Sequence, residues 1–171
     1  MGEGIFCMMN QMITCCFTGH RPEKLPWGIE EADARCIALK KTLGETVASL
    51  YQDGMRNFLC GMARGCDMYF AEAVLALGKE DAALVAVIPY AEQSRAWPAG
   101  ERLRWRRLVE SAQERVLLQE EYSAGCFQRR NQYMVDHSAL LLAVYDGTAG
   151  GTRQTIQYAM RRHVPFLDIC P

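Results

Sequence analysis

Residues 83–89 read ALVAVIP. A near-continuous apolar run of strand length, without polar alternation, suits a sheet covered on both faces, which is the habit of parallel sheets. Similar runs recur on either side of it: ITCCFTG (13–19), RNFLCG (56–61), RVLLQ (115–119), ALLLAVYDG (139–147) and VPFLDI (164–169). The segments between them carry helical period. In 30–52, Cys36, Leu39, Leu43, Val47 and Leu50 step by three or four, and QDG closes the helix. Segment 66–77 is apolar nearly all round and stops at Gly78, which predicts a buried helix. Segment 101–113 places Trp105, Leu108, Val109 and Ala112 on one side, 126–137 aligns Phe127, Asn131 and Met134, and 152–163 aligns Thr152, Ile156, Ala159 and Met160. Strand then helix, repeated, means parallel strands joined by helical crossovers. The expected fold is α/β: one Rossmann-like, doubly wound domain over 12–171, with a mostly parallel sheet between helices and a flexible extension over 1–11.

Composition bounds the function. A chain of 171 residues, 50% hydrophobic and 23% charged, is long enough for one well-buried core. A net charge of −1 gives no bulk attraction to nucleic acid or to an anionic membrane. No apolar run approaches the ~20 residues of a membrane span. The first residues lack the cationic and apolar regions of a secretory signal, and Phe6 stands where a myristoylation motif wants Ser or Thr. The eight cysteines form no C-x-x-C pair and several lie within apolar runs, which argues against a zinc site or a disulfide framework. A reduced, cytoplasmic protein is the expectation, with no metal and no membrane partner.

In doubly wound sheets, ligands bind beyond the carboxyl ends of the strands, near the point where strand order reverses. The loops there carry the candidates. After the first strand, Gly19 lets the chain turn, and His20 and Arg21 follow at once. Arg21 can grip a phosphate with two parallel hydrogen bonds, and His20 can donate to an anion or move a proton; the alternative is a solvated loop. After the second strand, Gly61 and Gly65 bracket the entry to helix 66–77, whose free N–H groups suit a phosphate or ribose edge. Arg64 adds charge there. Asp67 either accepts from ribose hydroxyls or compensates the helix dipole. Cys66 is either a thiol of lowered pKa or a small packing residue.

After the third strand, residues 89–107 hold Arg95, Arg102, Arg104, Arg106 and Arg107 with Trp97 and Trp105. Basic residues interleaved with aromatics can bind single-stranded nucleic acid. Against that, Arg102 and Arg106 share a helix with Glu101 and Glu110 and read as a solvated face. Trp97 either stacks on a base or plugs the domain edge. In 127–138, Asn131 lies on the apolar stripe, where it needs a partner or costs ~1–3 kcal/mol. Arg130 is its neighbour. The stretch DGTAGGTRQT (146–155) follows the fifth strand and opens a helix at about Gly150 or Gly151. Asp146, Gly147, Gly150 and Gly151 allow successive N–H groups to converge on an anion, and Thr152 and Thr155 add hydroxyls. It is neither G-x-G-x-x-G nor a Walker loop, and a plain turn is the alternative.

FTGHRP, GMARGCDMYFAEAV, PYAEQSRAW, FQRRNQYMVD and YDGTAGGT, in this order, resemble the YpsA-like family of bacterial proteins. That family belongs to the SLOG superfamily, with the DNA-processing protein DprA and the LOG (Lonely Guy) phosphoribohydrolases. The resemblance runs from about 13 to 169. It implies a Rossmann-like fold and a site for a nucleotide or nucleotide-derived ligand, such as an ADP-ribose-like molecule. It places contacts at Gly19, Arg21, Gly61, Gly65, Asn131, Gly150, Gly151 and Thr152. The phosphoribohydrolases carry P-G-G-x-G-T-x-x-E with a catalytic Glu; here Thr155 stands at that position and the proline is absent. The phosphate cradle is thus implied more strongly than the hydrolase.

Three functions stay open. The first is binding, or sensing, of a small nucleotide ligand, the only cofactor-like molecule expected. The second is N-glycosidic hydrolysis or transfer, with Asp67 and His20 as catalytic candidates beside Asp146 and Glu72. The third is DprA-like single-stranded DNA binding, which the net charge does not favour. A homodimer is the default assembly.

Overall fold

The computed structural model describes residues 10–171. The expected extension over 1–11 falls outside the described residues as far as position 9; Gln11–Ile13 form a 3-10 turn capped by the Asn10 side chain. Each apolar run becomes a strand: β1 (Thr14–Gly19), β2 (Asn57–Cys60), β3 (Ala83–Ile88), β4 (Glu114–Leu117), β5 (Leu140–Val144) and β6 (Phe166–Ile169). Between them lie α1 (Ala34–Gln52), α2 (Cys66–Ala76), α3 (Ala99–Ser111), α4 (Cys126–Asp136) and α5 (Gly151–Arg161).

The strands form one sheet in the order β4-β3-β2-β1-β5-β6, and every pair is parallel. The chain steps outward from β1 to β4, crosses back over the sheet, and steps outward again from β5 to β6. Right-handed crossovers put the helices of the two journeys on opposite faces. The core has that form. Cys15, Phe17, Leu84, Ala86, Ile88, Leu142 and Val144 point to the face covered by α1, α2 and α3. Cys16, Val85, Val87, Leu141 and Ala143 point to the face covered by α4 and α5. Strand side chains alternate between faces, so a run with both faces buried has no polar alternation. Phe17 stacks on Phe70 of α2 with ring centroids 4.5 Å apart.

Two helices differ from the sequence reading. The first starts at Ala34 rather than near 30, because Asp33 accepts from the Arg35 N–H (2.8 Å) and caps it. In α4 the buried residues are Cys126, Arg130, Met134 and Val135. The expected stripe Phe127–Asn131–Met134 is therefore rotated by one position at its start, and an arginine takes a core place.

Strand order reverses between β1 and β5, whose register pairs Gly19 with Val144. The His20 loop and the 146–151 loop leave the sheet side by side there.

Candidate functional site

At the carboxyl ends of β1 and β5 lies a cavity of about 310 Å³. Of the residues expected from sequence, Gly19, His20, Arg21, Asp67, Arg130, Asn131, Gly151 and Thr152 line it. The size is at the lower end of the range for small-molecule sites.

Arg130 sits at the base, 4% exposed. Its Nη1 donates to the Gly61 carbonyl and its Nε to Asn131 Oδ1 (2.8 Å). Both acceptors are neutral, no carboxylate lies within ion-pair distance among the described residues, and Nη2 makes no hydrogen bond. Burial, and to a lesser degree the neighbouring Arg21, pull its pKa down, while Asp67 opposes this. The guanidinium stays charged because its ordinary value is so high. Asn131 Nδ2 donates to Thr155 Oγ1 (2.9 Å), and Thr155 Oγ1 donates to the Gly151 carbonyl (2.9 Å). A polar chain thus runs from Arg130 to the first residue of α5.

Gly150 is the N-cap of that helix, with φ of 150°. The amides of Gly151, Thr152 and Arg153 find no backbone or side-chain acceptor among the described residues. Such free donors carry partial positive charge. Opposite them, Arg21 is exposed and makes neither ion pair nor hydrogen bond among the described residues; its guanidinium lies 5.0 Å from the centre of the Phe127 ring. Lys24 donates to the Ala149 carbonyl and lies against Gly150.

The acidic groups divide sharply. Asp67 is 5% exposed, and its Oδ2 accepts from the Ala63 N–H (3.0 Å). Burial raises its pKa, against the lowering influence of Arg130 and Arg21. Asp146 Oδ1 accepts from His20 Nε2 (2.8 Å) and from the Thr148 N–H and hydroxyl (2.9 and 2.7 Å). These bonds, the Thr148 hydroxyl first, hold its carboxyl well below the usual range. An ionised carboxylate only accepts, so His20 Nε2 is the donor in this bond. Asp146 therefore fixes the buried His20 rather than lining the cavity. Glu23 at the rim is paired to Arg64 (2.8 Å).

Other expected residues do different work. Gly61 makes room for Arg130: a Cβ there would lie 2.3 Å from Nη1. Gly65, at φ of 81°, lets the His20 loop press on the start of α2, where the Cys66 N–H donates to the His20 carbonyl (3.2 Å). That chain contact occupies part of the expected anion site. Arg64 pairs with Glu101 and Glu23, so its charge is already answered. Burial raises the Cys66 thiol, which corrects the lowered-pKa reading and leaves the packing one. Trp97 packs edge-on against Trp105 (6.4 Å), both half-buried against the core on the α3 side, and Arg104 pairs with Glu31 and Glu72. Arg104 and the two tryptophans are thus taken up by the fold, while Arg102, Arg106 and Arg107 lie exposed on α3, the solvated face expected for Arg102 and Arg106. Gly147 is exposed outside the cavity.

Sequence reasoning missed Lys24, Phe127, Thr18 and Ala63, all of which line the cavity. Lys24 stands in the same loop as Arg21, three residues on, and that proximity was the available signal. Among the described residues no group of three or more His, Cys, Asp or Glu is arranged to hold a metal ion, and no helix is long and apolar enough to cross a membrane.

Residues 15–164 match the model of the YspA SLOG family. The SPbeta prophage-derived protein YoqJ of Bacillus subtilis is 31% identical over 143 residues, covering 75% of this chain and 84% of that protein. A UPF0398 protein of Bacillus thuringiensis is 27% identical over 152 residues, covering 85% and 80%. Among solved structures, the single-stranded DNA-binding DNA processing protein A of Helicobacter pylori superposes with a TM-score of 0.62 at 12% identity, over 94% of this chain and 66% of that one. The Streptococcus pneumoniae DprA gives 0.63 at 16% identity, over 94% and 51%. At such identities the likeness is one of fold, and this chain spans about two thirds and about half of those two chains.

Proposed function

The chain belongs to the YspA SLOG family, and from that premise we propose that its cavity binds, and so senses, a small phosphorylated ligand of the nucleotide class. One observation carries the reading. A buried guanidinium, Arg130, makes no direct ion pair among the described residues, is offset only at a distance by Asp67, has a spare Nη2, and shares a cavity with a second unpaired guanidinium, Arg21. Taking such a charge out of water costs several kcal/mol unless something answers it. A phosphate does so, with donors from Arg21, the first amides of α5 and the Thr152 hydroxyl beside it. Asp67, which lines the same cavity, suits ribose hydroxyls.

Isothermal titration with ribose 5-phosphate, AMP, ADP-ribose and NAD tests this. At least one binds, and Arg21→Ala weakens it tenfold or more while the fold is kept. Folded protein that binds none of them refutes the reading.

A second reading, N-glycosidic cleavage, is favoured by Asp67 alone: a buried acid of raised pKa lining the cavity is placed to protonate a leaving base. Release of free base from AMP, lost in Asp67→Asn, tests it.

A further inference from the structure

We propose that Tyr122, with Tyr90 and Phe127 behind it, forms a stacking platform for the base of the ligand whose phosphate the cavity holds. The proposal rests on the binding reading above and goes beyond it in saying where the base lies and how it is recognised.

The three rings come from neighbouring loops at the carboxyl end of the sheet. Tyr90 follows β3, Tyr122 lies between β4 and α4, and Phe127 is in the first turn of α4. Tyr90 meets Tyr122 edge-on at 5.4 Å and Phe127 edge-on at 6.0 Å, geometries that aromatic pairs favour. Phe127 lines the cavity and carries the Arg21 guanidinium against its ring. The aromatic row is therefore continuous with the cationic site and leads outward from it.

Its outer member is the unusual one. Tyr122 is 63% exposed, although a tyrosine ring gains by burial. The segment that carries it is pinned. Arg129 donates to Gln119 Oε1 (3.0 Å) and to the Ala124 carbonyl (3.0 Å), Gln119 donates to Ser123 Oγ (2.8 Å), and the Ala91 N–H donates to the Glu120 carbonyl (3.2 Å). A large apolar ring held out to solvent on a locked loop has its ordering cost already met before anything binds.

A ring face accepts every base through its π-surface, and the nearby Gln119 amide is already engaged with Ser123 Oγ and Arg129. Recognition is then by stacking area: purines above pyrimidines, with little distinction between adenine and guanine. The hollow of about 380 Å³ between α4 and α5, on the other side of Phe127, has the opposite character. Gln128, Gln132, Gln154 and Gln157 line it, and Phe127, Asn131 and Gly151 line both it and the cavity. A base seated there would be read by hydrogen bonds.

Calorimetric titration with ribose 5-phosphate, AMP and UMP separates the cases. AMP binds about 5- to 150-fold more tightly than ribose 5-phosphate, the gain that base–aromatic stacking gives, and UMP falls between them. Tyr122→Ala brings AMP to the level of ribose 5-phosphate and leaves ribose 5-phosphate unchanged; Tyr122→Phe keeps the advantage. Three results overturn the platform while leaving the anion site standing: equal binding of AMP and ribose 5-phosphate, an AMP advantage that survives Tyr122→Ala, or one lost instead in Gln132→Ala. Binding of none of the three ligands defeats the platform, and the reading beneath it falls as well only if ADP-ribose and NAD also fail to bind.

Discussion

Gly61→Ala separates the two roles that Gly61 can have. If the glycine exists so that a ligand can approach the backbone, an added methyl costs affinity and spares stability. The structure puts the methyl elsewhere. A Cβ on Gly61 lies 2.3, 2.4 and 2.7 Å from Nη1, Cζ and Nε of Arg130. Carbon and nitrogen settle at about 3.5–4.0 Å, so the guanidinium withdraws by about 1 Å. It then loses its bond to the Gly61 carbonyl and strains the one to Asn131. Charge-assisted bonds contribute ~1.5–3 kcal/mol each, and forcing extra volume into a packed site costs ~1–3 kcal/mol. A loss of about 2–4 kcal/mol follows, which for a domain of this length lowers Tm by about 5–15 °C. The assay is a double-mutant cycle by urea or thermal unfolding, with Arg130→Ala as the second change. Arg130→Ala removes the obstacle, so Gly61→Ala costs under ~0.5 kcal/mol in that background and the coupling exceeds ~1.5 kcal/mol. Additive losses, or a wild-type-like Tm for Gly61→Ala, would show that the guanidinium is not seated against Gly61.

Three further outcomes follow from the same geometry. Burial raises the folded-state pKa of Asp67, so its contribution is full below the unfolded value near ~3.9 and is lost as pH rises through the raised folded value; Asp67→Asn removes that decline, and melting curves between pH 4 and 7 show a flatter profile than wild type. Arg21→Ala changes Tm by less than about 2 °C, since Arg21 is exposed and unpaired, yet it lowers the salt dependence of anion binding in titrations at two ionic strengths. Lys24→Ala releases the Ala149 carbonyl, and hydrogen exchange over 147–151 speeds by about three- to tenfold, equivalent to one exposed hydrogen bond.

The sheet was legible because both-face burial writes itself as unbroken apolar runs. ALVAVIP became β3 within one residue at its end, and the helices followed from period. The site was legible as a place, since topology alone puts the His20 and Gly150 loops beside the strand reversal. What escaped was pairing between residues far apart in sequence. Arg64 reads as a free cation until Glu23 and Glu101, 37 and more positions away, are seen beside it. Trp97 reads equally as a stacking residue and as an edge plug until Trp105 closes on it. Arg130 was the hardest, because no hydrophobicity pattern places an arginine in a core stripe. The stripe was drawn through its neighbours Phe127 and Asn131, and the hint was outside α4 altogether, in a glycine at position 61 that leaves space for something.

The carboxylates bear on whether this site turns anything over. Cleavage of a base–ribose bond needs an acid for the leaving base and a carboxylate near the sugar. Asp146 accepts three hydrogen bonds and is held ionised away from the cavity lining, so it has no proton to give and no reach to the sugar. Glu72 is bound to Arg104 on the far side of α2 from the cavity lining. Asp67 is the one carboxyl that both lines the cavity and has its pKa raised, and His20 is fixed through Nε2 to Asp146. Among the described residues the carboxyls that line the cavity are Asp67 and Glu23, and Glu23 is held by Arg64. Any turnover in this chain has to vanish in Asp67→Asn, and binding does not.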